Sequence, residues 1–345
     1  MNKLLNRIHS AAPVRICDVG GWTDTWFAGH GAVFNIAVQP YVEVQINIYR
    51  PSGKKERVTL HLENYGHTYS LNPEQMSYNK HPLIEAAVDT MEIPGDISIH
   101  IDIFSDAPPG ASVGTSAAVS VALIGALDAL TPGKLNPHEV AALAHRIETE
   151  KLGLQSGIQD QLASAFGGIN FINMPAFPFS EVSPVNMPKE NLLDLERRLI
   201  LVYIGTPHSS SEVHKKVIAN LGDDAGRDPR IDGLRKLAAA ARDAALSGDL
   251  EDLGDVMNRS IGLQRSLHPH LVCEKSEEII DIAGSFAACG CKVNGAGGDG
   301  GSITILGDGD VKKKRELIHT LKKKGYPSIP VALSPAGLKV WQTRQ

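Results

Sequence analysis

Cysteine is scarce: the 345 residues hold four, Cys17, Cys273, Cys289 and Cys291. Cys289 and Cys291 stand too close together for a zinc knuckle, so reduced, buried thiols are expected. Long apolar runs are missing too. The most apolar stretch, 117–130, is too short to cross a bilayer and contains Asp128. Residues 1–10 lack the apolar centre of a secretory signal. No basic excess exists, with 34 Lys+Arg against 39 Asp+Glu and a net charge of −5, which argues against nucleic acid as partner. A local site can still bind an anion. The basic runs 312–315 and 322–324 read as solvated helix surface. Neither His268/His270 nor His208/His214 has the i, i+4 spacing of a helical zinc site, while His208 to Ser211, following a strand, is expected to line a ligand cleft. A Walker loop, G-x-x-x-x-G-K-[ST], is absent. The expectation is a cytoplasmic protein that binds neither membrane nor nucleic acid.

Hydrophobic residues at 42% and charged residues at 21% are ordinary for a globular chain, and the length suggests two domains. Val42, Val44, Ile46 and Ile48 alternate with polar residues, as do Ile97, Ile99, Ile101 and Ile103. Val58, Leu60 and Leu62 continue the pattern, so the first hundred residues predict a largely antiparallel sheet. A helical stretch follows over 117–130. Asn136, Pro137 and Glu139 then predict a capped helix start, and a short helix is expected over 158–166. Residues 174–191, with four prolines and little periodicity, are read as the junction between domains 1–180 and 190–345. Beyond it, strands near 199–204, 302–306 and 329–333 alternate with helices near 231–245, 250–265, 274–288 and 311–323. That order predicts an α+β second half.

Glycine is in mild excess, 33 residues where about 24 would be average. Sixteen of them fall in four segments, 20–31, 110–114, 153–168 and 290–301. The second lies in Asp106-Ala-Pro-Pro-Gly110-Ala-Ser-Val-Gly114-Thr115-Ser116, between a strand and a helix. Its prolines and glycines fix a turn, and the helix start offers free N–H groups and a positive dipole end. Such a site suits a triphosphate, with Thr115 and Ser116 hydroxyls for phosphate or magnesium. A plain helix cap needs one hydroxyl only.

Glu148 and Asp160 form a candidate acidic pair, joined by a turn that Gly153 and Gly157 permit. One carboxylate can hold a metal while the other orients or deprotonates a hydroxyl. On spacing alone Glu150 is an equal alternative to Glu148. The cluster Gly295-Ala-Gly297-Gly298-Asp299-Gly300-Gly301 contains G-x-G-x-x-G, but a strand follows it, so a dinucleotide site is rejected. Near the N-terminus, Arg15 could neutralise phosphate charge and Asp24 accept from ligand hydroxyls. A surface ion pair or turn cap is the blander reading there.

Together these segments resemble the GHMP kinase family of small-molecule kinases. Its three signatures occur in order: Pro13 through Asp24, Pro108 through Ala118, and Asn294 through Gly301. The segment from His145 to Gly168 matches the family's helix and catalytic loop. Gly-Gly-Trp-Thr-Asp and Gly-Ile-Gln-Asp-Gln are most similar to the sugar 1-kinase branch of heptose-7-phosphate kinase and fucokinase. Gly21-Trp22, where galactokinases have Glu-His, speaks against galactose. The Thr-Asp turn, which mevalonate and homoserine kinases lack, speaks against those substrates.

The resemblance implies an N-terminal domain with a left-handed βαβ crossover, a ferredoxin-like C-terminal domain and a cleft between them. It implies ATP and magnesium as cofactors and a sugar or sugar phosphate as substrate, with a homodimer possible. Pro109, Gly110, Ala111, Ser112, Val113, Gly114, Thr115 and Ser116 would cradle the nucleotide, and Ser116 and Glu148 would hold magnesium. Asp160 would be the base or orienting carboxylate. Arg15 would activate the acceptor hydroxyl and stabilise the phosphoryl group. Thr23, Asp24, Gly157, Gly297 and Gly298 would meet substrate. Two departures stand out: Ser112 and Asp299 occupy positions where the family has glycine. The rival readings are a kinase for a non-sugar alcohol and a silent sugar sensor on the same fold.

Overall fold

The computed structural model describes residues 4–343 apart from 52, 54, 132–133, 206–209 and 223, with the side chains of 210–212 and 214 also outside the description. The expectation that His208 to Ser211 lines a ligand cleft therefore lies outside the described residues.

Two long strands, β1 (Leu4–Val19) and β2 (Gly31–Tyr49), open the first half as an antiparallel pair. Then come β3 (Val58–Leu62), β4 (His67–Leu71), α1 (Pro82–Thr90), β5 (Ser98–Ser105) and α2 (Thr115–Asp128). Next are α3 (Pro137–Arg146), α4 (Gln159–Phe166) and the hairpin β6 (Ile169–Ala176) with β7 (Phe179–Pro184). β5 runs antiparallel to β2 but parallel to β3. A parallel pair needs a crossover, which β4 and α1 supply. The period-two residues land as expected, with Val42, Val44, Ile46, Ile99, Ile101 and Ile103 buried. From Ala117 to Leu127, α2 is buried almost all round, because it lies between the sheet and α1, α3 and α4.

The predicted start of α3 is present in full. Asn136 accepts from the Glu139 N–H at 3.0 Å, and the Glu139 carboxylate accepts from the Asn136 N–H at 2.8 Å. One π-helical turn, Ile147–Lys151, follows α3.

The second half holds α5 (Lys189–Arg198), β8 (Leu199–Tyr203), α6 (Ser210–Leu221), α7 (Pro229–Ser247), α8 (Leu250–Leu267) and α9 (Glu274–Ser285). It continues with β9 (Gly290–Val293), β10 (Ser302–Leu306), α10 (Val311–Lys323) and β11 (Ser328–Ile329). The sheet order is β11-β8-β10-β9, all antiparallel. Numbered within the unit this is 4-1-3-2, the ferredoxin-like arrangement. The whole is α+β with two sheets.

Three features differ from the sequence reading. β4, α1, α6 and β9 were not foreseen. Residues 174–191 are not an irregular junction: β6 and β7 form a hairpin there, and α5 begins at Lys189. Pro178 sits between the strands, Pro184 ends one and Pro188 precedes α5, so the prolines punctuate short elements and hide their periodicity. Finally, the strand expected over 329–333 is split. β11 stays in the second sheet, while β12 (Ala332–Leu333) pairs with β2 and β13 (Lys339–Thr343) with β1. The division at 180/190 does not anticipate this return. Small residues permit it: Leu338 packs where Gly125 leaves a gap in α2, and the Ala336–Gly337 backbone lies against Gly167.

Candidate active site

A cleft of about 380 Å³ opens where the two sheets' connecting loops converge. Four segments line it: the turn after β1, the loop between β5 and α2, the loop into α4, and the turn between β9 and β10.

The loop before α2 presents backbone. Gly114 occupies the N-cap position in the left-handed region, φ 76°, and no side chain caps the helix. The first N–H groups of α2 therefore face the cleft uncapped by a side chain, the arrangement that favours an anion. A Cβ on Gly114 would approach Asp160 to 3.3 Å. Ser112, standing where the family has glycine, takes φ 57°, a conformation costly for any L-residue with a side chain. Ala111, Ser112, Val113, Gly110, Thr115 and Ser116 all line the cleft. Pro109 does not: it is exposed, and its carbonyl accepts from the Tyr203 hydroxyl at 2.9 Å.

Arg15, near the end of β1, is buried and forms a two-point pair with Asp160, Nε to Oδ1 at 2.7 Å and Nη2 to Oδ2 at 3.1 Å. Its Nη1 donates to the Ser112 carbonyl at 2.6 Å. Burial opposes its charge, but Asp160, Asp18 and Asp24 more than offset this and hold its pKa above the ordinary value. Asp160 lies in the first turn of α4 and is 28% exposed, so it can meet a ligand while bound to Arg15.

The choice between Glu148 and Glu150 is made by the π turn. It turns Glu148 inward, where burial, with Asp160 adding to it, lifts its pKa to about 7. Glu150 points outward and pairs with Arg146 at 3.3 Å. The Gln161 amide donates to Glu148 at 2.6 Å. Gln161 Oε1 is buried and has no hydrogen-bond partner among the described residues. Glu148, Ser116 and Gln161 thus offer hard oxygen donors on one cleft wall, a set that fits magnesium. Among the described residues no group of three or more His, Cys, Asp and Glu could hold a metal ion. A cation here would complete its shell from phosphate and water, as magnesium does.

Asp24 also belongs to the cleft lining but is buried, and its carboxylate accepts from the Gln159 N–H at 3.2 Å. Burial first, then Asp160, raises its pKa to about 7. Gly157 is required beside it, since a Cβ there would lie 2.0 Å from Asp24 Oδ2.

Three expected substrate residues are placed elsewhere. Thr23 is fully buried, and its hydroxyl donates to the Gly20 carbonyl and accepts from the Ala32 N–H, closing the turn between β1 and β2. Gly297 and Gly298 lie behind the cleft against Leu271, where a Cβ on Gly297 would sit 2.1 Å from the Leu271 carbonyl oxygen. Gly295 and Ala296 form the cleft wall instead. Asp299 is exposed and outside the lining.

Asp18, Trp22, Gln159 and Gln161 also line the cleft and were given no site role by the sequence reading. Their signal was adjacency: Asp18 and Trp22 lie between Arg15 and Asp24, and the glutamines flank Asp160.

Residues 82–168 match the GHMP kinases N terminal domain. A D-glycero-alpha-D-manno-heptose 7-phosphate kinase of Campylobacter jejuni is 25% identical over 346 residues, 98% of this chain and 100% of that protein. A mevalonate kinase of Pyrococcus abyssi is 30% identical over 283 residues, covering 80% of this chain and 78% of its own. The bifunctional fucokinase/GDP-fucose pyrophosphorylase of Arabidopsis thaliana is 26% identical over 90% of this chain, which spans only 31% of that longer protein. In fold, the chain is similar to the crystal structure of a D-glycero-D-manno-heptose 1-phosphate kinase from Bacteroides thetaiotaomicron, with TM-score 0.76, 21% identity, and 98% and 100% of the two chains covered. The chain belongs to the GHMP kinase family, and it is a phosphotransferase.

Proposed function

We propose that this chain transfers the γ-phosphoryl group of ATP, with magnesium, to a hydroxyl of a sugar or sugar phosphate, at the anomeric position. The observation that carries the reading is the Arg15–Asp160 pair, set beside the uncapped start of α2 and facing the buried Glu148.

The geometry supports the following roles. The backbone of Gly110–Ser116 and the positive end of α2 hold the triphosphate. Glu148 and Ser116, with Gln161 beside them, are the groups that would hold magnesium, which when bound supplies charge neutralisation to the phosphates. Asp160 orients the acceptor hydroxyl and takes its proton. Arg15, already charged, lies within reach of the developing negative charge and fixes the Asp160 rotamer. Asp24 accepts from hydroxyls of the acceptor. Positioning and electrostatics supply most of the effect in phosphoryl transfer.

The 30% identity to mevalonate kinase favours a second reading, transfer to a non-sugar alcohol. A coupled ADP-release assay separates the two. It is run with MgATP on sugars, sugar phosphates and mevalonate, with phosphorus NMR to locate the new ester. Turnover on a sugar at the anomeric oxygen, abolished by Asp160→Asn, is the expected result. Turnover on mevalonate alone supports the alternative, and no turnover on any hydroxylated acceptor defeats the kinase reading.

A further inference from the structure

One charged pair near the cleft takes no part in the roles above. Lys292, on β9, and Asp18, near the end of β1, meet with Nζ to Oδ1 at 3.4 Å, and both side chains are 1% exposed. Lys292 also donates to Gln264 Oε1 at 3.2 Å and to the Val293 carbonyl. Asp18 is used on every side. Both its oxygens accept from the Gly295 N–H, at 3.2 and 3.0 Å, and its Oδ2 lies 3.5 Å from the Gln159 amide nitrogen.

These partners connect to the reacting groups. Gly295 fills the space against Arg15: a Cβ there would stand 3.3 Å from Arg15 Nη2 and 3.0 Å from the Ser112 carbonyl oxygen. Gln159 is the first residue of α4, directly before Asp160, and its N–H holds Asp24. One carboxylate therefore touches the turn that walls the Arg15 slot and the residue that places both Asp160 and Asp24. Its charge is balanced by a lysine from the other sheet. Asp18 borders the cleft at only 1% exposure, so beyond the pull of its charge on Arg15 its influence on the chemistry runs through these neighbours.

We infer that Asp18 and Lys292 are a positioning pair for phosphoryl transfer, locking the Gly295 turn and the start of α4 into one register so that Arg15 and Asp160 stay engaged. This rests on the kinase reading of the cleft. A buried pair kept only for stability would behave differently, because replacing both charges together often restores stability.

The test compares Asp18→Asn, Lys292→Met and the double variant with the wild type. Each single variant is expected to lower kcat by tenfold or more while KM for ATP and acceptor changes less than threefold. The double variant should regain most of the lost melting temperature and stay at least tenfold low in kcat. Single variants at wild-type kcat, or a double variant that recovers both melting temperature and kcat, would overturn the inference. Nitrogen NMR of the Arg15 Nε–H, assigned by its loss in Arg15→Lys, supplies a readout without turnover. The signal is expected sharp and slow to exchange in the wild type and exchange-broadened in the double variant. If the protein phosphorylates nothing, that signal still decides: an Arg15 Nε–H as sharp and as slow to exchange in the folded double variant as in the wild type overturns the positioning role, and one broadened or exchanging faster upholds it. Should the single variants not fold, the double variant alone is used.

Discussion

Arg15 and Asp160 meet edge to edge, with two nitrogen–oxygen contacts of 2.7 and 3.1 Å, although 145 residues separate them in the chain. Arg15 is 4% exposed and Asp160 28%, so the arginine is the fixed member and the carboxylate the member that faces ligand. A carboxylate so held has little rotamer freedom to lose when an acceptor hydroxyl arrives.

The first prediction concerns that carboxylate. Asp160→Asn keeps an acceptor for Arg15 but removes the proton-accepting charge. A kcat loss of about 10²- to 10⁴-fold is expected, with folding retained at a cost of about 1–3 kcal/mol for the weakened charged hydrogen bonds. Steady-state kinetics and denaturant unfolding of the same sample check both halves. Near-normal kcat would remove Asp160 from the chemistry.

Glu148 gives a pH prediction. Burial, with Asp160 adding to it, lifts its pKa to about 7, above that of an unfolded glutamate. An acid with a raised folded pKa binds its proton more tightly in the folded state. Its contribution to stability is therefore full below the unfolded pKa and is lost as pH rises towards 7. Glu148→Gln should raise the metal-free melting temperature at pH 8, by an amount worth at most about 3 kcal/mol, and leave it unchanged at pH 4. Magnesium needs the ionised form, so added magnesium should stabilise the wild type more at pH 8 than at pH 6 and the variant at neither. Thermal shift at three pH values is sufficient, and a variant less stable at pH 8 would contradict the assignment.

At Ser112 the backbone holds a φ of 57° with a side chain in place. Ser112→Gly removes the left-handed penalty of about 1–2 kcal/mol, offset by about 0.4–1 kcal/mol of extra unfolded-chain entropy. A gain of zero to about 1.6 kcal/mol is expected from those two contributions. Ser112→Ala, which keeps the strain, should gain nothing. Equal effects of the two substitutions would show that strain is not what Ser112 costs.

Gly157→Ala should act on substrate through Asp24. The added methyl would stand 2.0 Å from Asp24 Oδ2, so that carboxylate must turn away. A stability loss of about 1–3 kcal/mol is expected for the overpacking, along with a several-fold rise in KM for the acceptor and little change in KM for ATP. A rise confined to ATP would remove Asp24 from the acceptor contacts.

Much of this site was legible in the chain itself. The glycine-rich segments, the strand alternation and the capping box at Asn136 are local signals, because they depend on residues a few positions apart. They determined the first sheet, the loop before α2 and the family. Arg15, Glu148 and Asp160 were readable as candidates for the same reason. What tertiary structure alone decided is orientation. Glu148 and Glu150 are equivalent in spacing, and a single π turn sends one into the cleft and the other to Arg146. Thr23 has the composition of a substrate contact, yet its hydroxyl is consumed in closing its own turn. Asp18 and Lys292 are unremarkable in the sequence, and only the approach of β9 to β1 turns them into a buried pair. The return of residues 332–343 to the first sheet was hidden likewise, since it depends on the gaps left at Gly125 and Gly167, far away in the chain. Local propensity chooses elements and turns. Which way a side chain faces, and what it meets there, is set by packing between segments that the sequence keeps apart.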